Sequence, residues 1–187
     1  KILNEEIEAA DLTVATWRAV PTNPDILGEI ALRSMPAFAQ ILVNNPQALA
    51  EDEFNRKLFL ARRRAEQRLE SDTSFYITTL ASTVISYKGL MMPEAIADFY
   101  TDLADRRLES HIVVFHQRFS TNTLPRWPWS QPFRYLARNG EINTITANRN
   151  WALARTPKFE YPLLPGLLEL KPIVNRTGSD SSSLDNM

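Results

Sequence analysis

The most regular pattern of apolar positions lies between residues 51 and 70. Apolar side chains recur there at spacings of three and four residues, which places them on one face of a helix. The positions are Phe54, Leu58, Ala61, Ala65 and Leu69. Acidic residues gather at the start of the segment, where the helix dipole favours negative charge. The sequence therefore predicts a long amphipathic helix over about residues 51–70.

Patterns typical of β-strands occur on both sides of this helix. Residues 12–17 alternate before a proline-containing turn, and residues 75–80 and 83–87 are β-rich runs close enough to pair as a hairpin. Residues 112–115 form a continuous apolar run, which is typical of a strand buried on both faces. Strands and helices mixed in this order predict an α+β fold with layered packing.

Shorter helices are predicted in the second half of the chain. Residues 93–103 begin with a proline, which suits the first position of a helix, and residues 145–153 also have helical character. Residues 177–187 predict a glycine turn followed by a serine-capped helix. The apolar stripe that Leu184 begins there ends with the sequence, so we expect residues 1–187 to be a piece of a longer protein.

Composition narrows the possible functions. The chain has 187 residues, a net charge of −1 and a hydrophobic share of 44%, which is ordinary globular composition. Near-neutral charge gives no general attraction to nucleic acids or acidic membranes, and no apolar run approaches the length of a membrane helix. We therefore expect a cytoplasmic protein with no nucleic-acid or membrane partner.

The absence of cysteine excludes several kinds of chemistry from these residues. Without cysteine the sequence provides no disulfide, no thiolate metal ligand and no thiol nucleophile. The two histidines, His111 and His116, lie five residues apart without a carboxylate-rich partner pattern. We therefore expect no metal site in this chain.

Arg118 is a candidate for ligand binding because it lies just after the predicted strand 112–115. Its guanidinium group offers a planar set of donors that suits a carboxylate. Alternatively, the same side chain stabilises the end of the strand. The residues alone leave both interpretations open.

The Asn139–Gly140 step also has two interpretations. Asn-Gly is the strongest short signal for a β-hairpin turn, and a turn is the simpler interpretation. The same pair also suits an oxyanion hole, because glycine lets its backbone N–H approach a ligand closely and the asparagine amide supplies a second donor. The step by itself favours the turn.

Three separated motifs carry a family resemblance. They are His116 to Pro125, Ala137 to Thr144, and Gly178 to Ser183. Together they resemble the glutamine amidotransferase domain of glutamate synthase, in particular the bacterial NADPH-dependent large subunit. Pro21 to Pro24 and Arg62 to Leu90 are also similar to that family, so the resemblance runs along essentially the whole chain.

The resemblance implies a class II amidotransferase of the N-terminal-nucleophile hydrolase type, whose fold is a four-layer αββα sandwich. Residues 1–187 would be part of this single domain, without its N-terminal nucleophile segment and its C-terminal remainder. In that family an N-terminal cysteine attacks the glutamine amide, and its own α-amino group acts as the base. We therefore expect this piece alone to be inactive.

The resemblance also assigns roles to particular residues. It implies that Arg118 binds the α-carboxylate of glutamine, that Asp180 holds the α-ammonium group, that Asn139 and Gly140 form the oxyanion hole, and that Phe119 and Thr121 line the pocket. The set is chemically coherent: it supplies a cation for the carboxylate, an anion for the ammonium and two neutral donors where negative charge develops.

Three residues depart from the family pattern. Arg138 replaces a histidine before Asn139, Ala147 replaces a glycine, and Arg176 replaces a glutamate before Thr177. Arg138 would place a new cation beside the oxyanion hole. Arg138 is the reason to consider one alternative, a non-catalytic interaction domain of the same fold. A separate alternative is another class II amidotransferase, against which the similarity of the upstream segments argues.

The resemblance implies further cofactors and partners for the whole enzyme. Ammonia released from glutamine would pass through a channel to a second site, where 2-oxoglutarate is reductively aminated to glutamate. FMN, an iron–sulfur cluster and NADPH, the last through a small subunit, would serve that site. The expected partners are glutamine, the remaining domains of the large subunit and the small subunit, and no cofactor is expected in this piece.

Overall fold

The computed structural model describes residues 1–119, 124–134, 136 and 140–186. Helices and strands alternate as far as α3, and only helices and 3-10 turns follow in the described part of the chain. They are α1 (Ile2–Ala9), β1 (Thr13–Ala19), α2 (Glu29–Arg33), β2 (Ala39–Asn44), α3 (Glu51–Arg68), α4 (Ile96–Phe99), α5 (Ile145–Arg155) and α6 (Asp180–Asp185). Short 3-10 turns lie at Pro24–Ile26, Pro93–Ala95, Thr101–Ala104, Trp127–Trp129, Thr156–Lys158 and Leu167–Leu170.

Several predicted elements are confirmed. The long amphipathic helix is α3, the alternating segment 12–17 overlaps β1, and the helix predicted over residues 145–153 is α5. The helix predicted over residues 93–103 is shorter, because α4 is flanked by two 3-10 turns. No helix of the described ranges is long and apolar enough to cross a membrane.

The two strands pair antiparallel. Thr13 lies opposite Asn44 and Ala19 opposite Ala39, with a register shift between Val14 and Thr16. Strand β2 was not predicted from the sequence. The mixture of helix and strand agrees with the predicted α+β class, and the sheet that the described residues form has two strands.

The first hydrophobic core lies between α1 and α3. Ile7 of α1 and Ala61 and Ala65 of α3 are completely buried, and Leu58 retains only 2% of its exposure. Complete burial of a side chain the size of Ile7 stabilises the fold by about 1.5–3 kcal/mol. The same spacing that predicted α3 from the sequence therefore places its apolar face in this core.

A second core consists mainly of aromatic rings. Phe38, Phe99, Tyr100 and Trp127 pack against one another with ring centroids 4.7–5.8 Å apart, mostly edge to face. Phe99 is fully buried, and Tyr100 and Trp127 are nearly so. This geometry is the one that aromatic pairs prefer, and it holds the 3-10 turn of Trp127 against α4.

Glycine is required at position 89 because side chains of the second core pack directly against its backbone. A Cβ atom at residue 89 would lie 2.5 Å from the Trp127 ring and 2.5 Å from the Met91 methyl carbon. Both distances are shorter than any van der Waals contact. Any side chain at this position therefore displaces Trp127, Met91 or both.

The hairpin predicted over residues 75–80 and 83–87 is wrong, because neither run forms a strand. Their apolar side chains instead pack on two different cores, Ile77 on the first and Tyr87 on the second. The backbone between them is held by a side chain: Ser82 N–H donates to Asn55 Oδ1 over 2.8 Å. The segment of residues 75–87 thus links the two hydrophobic cores, and its apolar side chains do not belong to a pair of strands.

The buried strand predicted over residues 112–115 is also wrong. Ile112, Val113, Val114 and Phe115 are between 59% and 79% exposed, and the segment forms no strand. A buried strand needs a neighbouring strand for its backbone hydrogen bonds, and no described strand pairs with this segment. Arg118 therefore follows an exposed segment without regular secondary structure instead of a buried strand.

Candidate functional site

The structure describes four of the six predicted site residues. Arg118, Phe119, Gly140 and Asp180 lie within the described ranges. Thr121 and Asn139 lie outside the described residues, as does Arg138, so their predicted roles stay predictions. Two groups of contacts are therefore considered in turn, one around Arg118 and one around Asp180.

Arg118 and Phe119 line a small cavity of about 50 Å³. Lys88 and Gly89 form another part of its wall, and the 130–131 segment closes it. A cavity of this size holds about one or two water molecules, which is the scale of a carboxylate group. The cavity thus suits one polar end of a small ligand next to a guanidinium donor.

The Arg118 loop leaves the charged end of this side chain accessible. The backbone N–H of Arg118 donates to Nδ1 of His116 over 3.0 Å, which fixes the loop from within. The Arg118 side chain itself is exposed. An accessible guanidinium group at a cavity rim has the donors that a carboxylate ligand needs.

Lys88 fixes the opposite wall of the cavity. The Lys88 ammonium group is buried and donates to the carbonyl oxygens of Pro128 and Ser130 over 2.9 and 3.1 Å. It also lies 5.0 Å from the centre of the Phe133 ring. Burial lowers the pKa of Lys88 to about 8, and the charge of Asp185 opposes this shift.

Asp180 joins two of the motifs that carried the resemblance. Its Oδ2 atom accepts a hydrogen bond from the backbone N–H of Ile142 over 2.6 Å. Its Oδ1 atom accepts from the backbone N–H of Ser181 over 2.7 Å. Gly140 lies two residues before Ile142 and is exposed. The predicted ammonium acceptor is therefore bonded directly to the segment that carries the predicted oxyanion donors.

The turn before Asp180 has a defined conformation. Gly178 has a φ of +94°, which side chains rarely adopt, and a Cβ atom there would lie 3.0 Å from Ser182 Oγ. Ser179 then caps α6 by accepting a hydrogen bond from the N–H of Ser182 over 3.1 Å. The glycine turn and the serine cap predicted from the sequence are both confirmed.

Arg149 holds this turn from α5, a contact that sequence reasoning missed. Its Nε and Nη2 atoms donate to Ser183 Oγ over 3.0 and 2.9 Å. Its Nη2 atom also donates to the carbonyl oxygens of Gly178 and Ser179 over 2.9 and 3.3 Å. One guanidinium group thus bonds both ends of the segment that contains Asp180.

In retrospect, helical periodicity could have identified Arg149 as a residue on the inner face of α5. Ile145, Arg149, Ala152 and Thr156 recur at spacings of four, three and four, and they are the less exposed positions of α5 and the turn after it. An arginine on the inner face of a helix needs acceptors there. The identity of those acceptors was not predictable, since they lie 29 to 34 residues along the chain.

The two groups of contacts are not joined into one pocket by the described side chains. Gly140 and Asp180 are not among the described residues that line the Arg118 cavity.

Of the residues that depart from the family pattern, Ala147 is exposed on α5 and Arg176 is exposed before Gly178. In the described ranges, no group of three or more histidine and acidic side chains is placed to hold a metal ion.

Comparison with known proteins gives consistent matches. The family described as class-II glutamine amidotransferases matches residues 1–187. The NADPH glutamate synthase large chain of Azospirillum brasilense is 42% identical to this chain, and that of Bacillus subtilis is 41% identical; each match covers all of this chain. Ferredoxin-dependent glutamate synthase 2 of Synechocystis sp. is 41% identical over 98% of this chain.

The matched relatives are much longer than this chain. The chain spans 12% of the length of each of these three proteins. The family match, in contrast, extends over every residue of the chain. The chain therefore belongs to the class-II glutamine amidotransferases, and it matches a part of the longer glutamate synthases.

Proposed function

We propose that this chain forms the glutamine-binding and oxyanion part of the glutaminase site in a glutamate synthase. The observation that carries the proposal is the hydrogen bond between Ile142 N–H and Asp180 Oδ2, because it joins two family motifs that are 38 residues apart. The corresponding fold is a part of the four-layer αββα sandwich of N-terminal-nucleophile hydrolases. In this proposal residues 1–187 belong to one amidotransferase domain.

Arg118 and Asp180 would bind the two charged ends of the glutamine backbone. The exposed guanidinium group of Arg118 suits the α-carboxylate, and the cavity beside it has the scale of that group. The Asp180 carboxylate accepts the backbone N–H groups of Ile142 and Ser181 and the Ser181 hydroxyl, and a carboxylate is the side-chain group whose charge suits an ammonium group. Phe119 and Thr121 would line the pocket between them.

Asn139 and Gly140 would stabilise the tetrahedral intermediate of amide hydrolysis. When a nucleophile adds to the amide carbon of glutamine, negative charge develops on the amide oxygen. The Asn139 side-chain amide and the Gly140 N–H are neutral donors suited to this oxyanion. Collapse of the intermediate expels ammonia, and water then releases glutamate from the enzyme.

The nucleophile in this proposal is a cysteine outside these 187 residues, which contain none. The thiol of this cysteine attacks the glutamine amide, and the α-amino group of the same cysteine accepts the thiol proton, as the family resemblance implies. A polypeptide limited to residues 1–187 would then not hydrolyse glutamine. The expected ammonia release from that polypeptide is zero.

In the whole protein, the ammonia would serve reductive amination of 2-oxoglutarate. The names of the relatives support this proposal, since they are glutamate synthases that use NADPH or ferredoxin. FMN and an iron–sulfur cluster would lie in other domains of the large subunit. NADPH would act through a small subunit.

The test is an Arg118→Ala substitution in the full-length protein that contains this chain. Loss of hydrogen bonds to a charged group costs about 1.5–3 kcal/mol, so the KM for glutamine should rise about 10- to 150-fold. Ammonia-dependent glutamate formation should stay unchanged, because it bypasses glutamine. Arg106→Ala removes an exposed arginine in a different loop and is the matched control. Unchanged glutamine kinetics in Arg118→Ala would refute the proposal.

A further inference from the structure

We propose that Arg149 is a positioning residue for glutamine recognition: it holds the Gly178–Ser183 turn so that the Asp180 carboxylate faces the α-ammonium group. This inference rests on the proposed function, because it presupposes that Asp180 binds glutamine. Arg149 itself would not touch the substrate. Its effect on binding would pass through the turn.

The hydrogen bonds around Asp180 form a closed loop. The chain runs from Ile142 into α5, and Arg149 lies in the second turn of that helix. Arg149 bonds Gly178, Ser179 and Ser183, which lie on both sides of Asp180. Asp180 completes the loop by accepting the N–H of Ile142. One side chain on α5 thus restrains the position of Asp180 relative to the 140–142 segment, together with the Asp180–Ile142 hydrogen bond.

The acceptors of Arg149 are all neutral. The hydrogen bonds of its guanidinium group go to two carbonyl oxygens and one hydroxyl oxygen. The three acceptor atoms surround one planar group, and a lysine ammonium group lacks the two divergent nitrogen atoms that reach them. The contact therefore fixes the shape of the turn through neutral acceptor atoms.

The rest of the turn transmits this restraint to Asp180. Ser183 is almost completely buried, and Ser179 and Ser181 are as well. Gly178 has a left-handed backbone conformation, and its own carbonyl oxygen accepts a hydrogen bond from Arg149. When Arg149 is lost, the Gly178 carbonyl oxygen and Ser183 Oγ lose the hydrogen bonds that Arg149 donates, whereas the Ser179 carbonyl oxygen keeps its bonds from Ser182 and Ser183. The Gly178 end of the turn then shifts to find another donor. The Asp180 carboxylate shifts with it.

The experiment measures how well the full-length enzyme distinguishes glutamine from its analogue without the α-amino group. Ammonia release from each substrate gives two values of kcat/KM, and their ratio reports the contact with the ammonium group. Arg149→Gln should lower this ratio about tenfold or more, the loss expected for a hydrogen bond to a charged group. The decrease should come mainly from the KM for glutamine.

Matched variants separate positioning from general damage. Arg155→Gln makes the same change on the same helix at an exposed position and should keep the wild-type ratio. Arg149→Lys keeps the charge but reaches fewer acceptors, so its ratio should lie between wild type and Arg149→Gln. Ammonia-dependent glutamate formation should be unchanged in all three variants, which shows that the other domains of the large subunit are intact. An unchanged kcat/KM for the analogue shows that the amidotransferase domain itself is folded.

Asp180→Asn makes the failure of this inference distinguishable from the failure of the proposed function. If Asp180→Asn lowers the ratio but Arg149→Gln behaves like Arg155→Gln, the positioning role is refuted and the site assignment stands. If Arg149→Gln slows both substrates equally, the positioning role is also refuted. If Asp180→Asn keeps the wild-type ratio, the assignment of Asp180 fails and the inference fails with it.

Discussion

Replacing the buried Lys88 with methionine should remove a pH dependence from the stability of the second core. Lys88 holds the Trp127 turn through the carbonyl oxygens of Pro128 and Ser130. Methionine has a similar length and fills the same space without a charge. The substitution removes both the hydrogen bonds and the ionisable group of Lys88. Loss of the hydrogen bonds lowers the stability by the same amount at every pH, whereas loss of the ionisable group changes how the stability depends on pH.

The magnitude follows from the shift in the pKa of Lys88. Burial lowers this pKa from 10.5 to about 8 in the folded protein. Between these two values the unfolded chain binds more protons than the folded one, so the stability rises as the pH rises. At pH 9, about one unit above the folded pKa, the gain over pH 7 is about 1.4 kcal/mol, which is a factor of about ten.

Neighbouring groups leave this pH window clear. The Tyr76 ring lies 5.8 Å from the Lys88 ammonium group, and burial raises the pKa of Tyr76 to about 12. Burial also raises the pKa of Tyr100, whose hydroxyl donates to the Lys88 carbonyl oxygen. Both tyrosines therefore stay protonated at pH 9 in the folded protein, and Asp185, whose charge acts on Lys88, is present in both variants.

Hydrogen exchange measured by mass spectrometry provides the assay. The exchange rates of peptides that contain Tyr100 or Trp127 are compared between wild type and Lys88→Met at the same pH, so that intrinsic exchange rates cancel. The open population of wild type should fall about tenfold relative to Lys88→Met between pH 7 and pH 9. Lys158→Met removes an exposed lysine and should follow the wild-type response. Parallel responses of wild type and Lys88→Met would refute the burial argument.

Two further predictions concern packing and a buried ion pair. Gly89→Ala should destabilise the protein by about 1–3 kcal/mol through its contacts with the second core, whereas Gly28→Ala, with no atom within 4 Å of the new Cβ, should change the melting temperature much less. The Arg134–Asp185 pair is 3.0 Å long and largely buried, so Arg134→Met should cost about 3–5 kcal/mol. Denaturant unfolding of the Arg134 variant, an Asp185 variant and the variant with both substitutions measures the coupling energy between the two side chains. Strictly additive effects would contradict a direct interaction.

The elements that were predicted correctly are those with local signals. Helix α3 has its apolar spacing and its acidic first turn within one segment, and its predicted face is the buried one. The segments 75–87 and 112–115 also have strong apolar patterns, but a strand exists only when a partner strand pairs with it. That partner is a property of distant sequence. Strand β2 was missed because its pairing with β1 is not visible in residues 39–44 themselves.

The residues of the candidate site could be proposed from sequence motifs, but their contacts could not. Arg118 and Asp180 were proposed because they lie in motifs that resemble a family. The backbone N–H of Ile142 was not found, because every residue type except proline has one. Arg149 was missed because its acceptors are mostly backbone carbonyl oxygens, which leave no mark in the sequence.

Hydrogen bonds from long polar side chains to carbonyl oxygens organise the loop-rich last third of the chain. Arg63 and Gln67 of α3 donate to carbonyl oxygens in the 169–172 segment over 2.7–3.4 Å. Lys88 and Arg149 do the same for the 128–130 turn and the Gly178–Ser183 turn. Such bonds are directional and modest in energy, about 0.5–1.5 kcal/mol each, or more when the donor is charged. The candidate site therefore depends on donor geometry more than on buried apolar area, and exchanges such as Arg149→Lys should disturb it although they conserve charge.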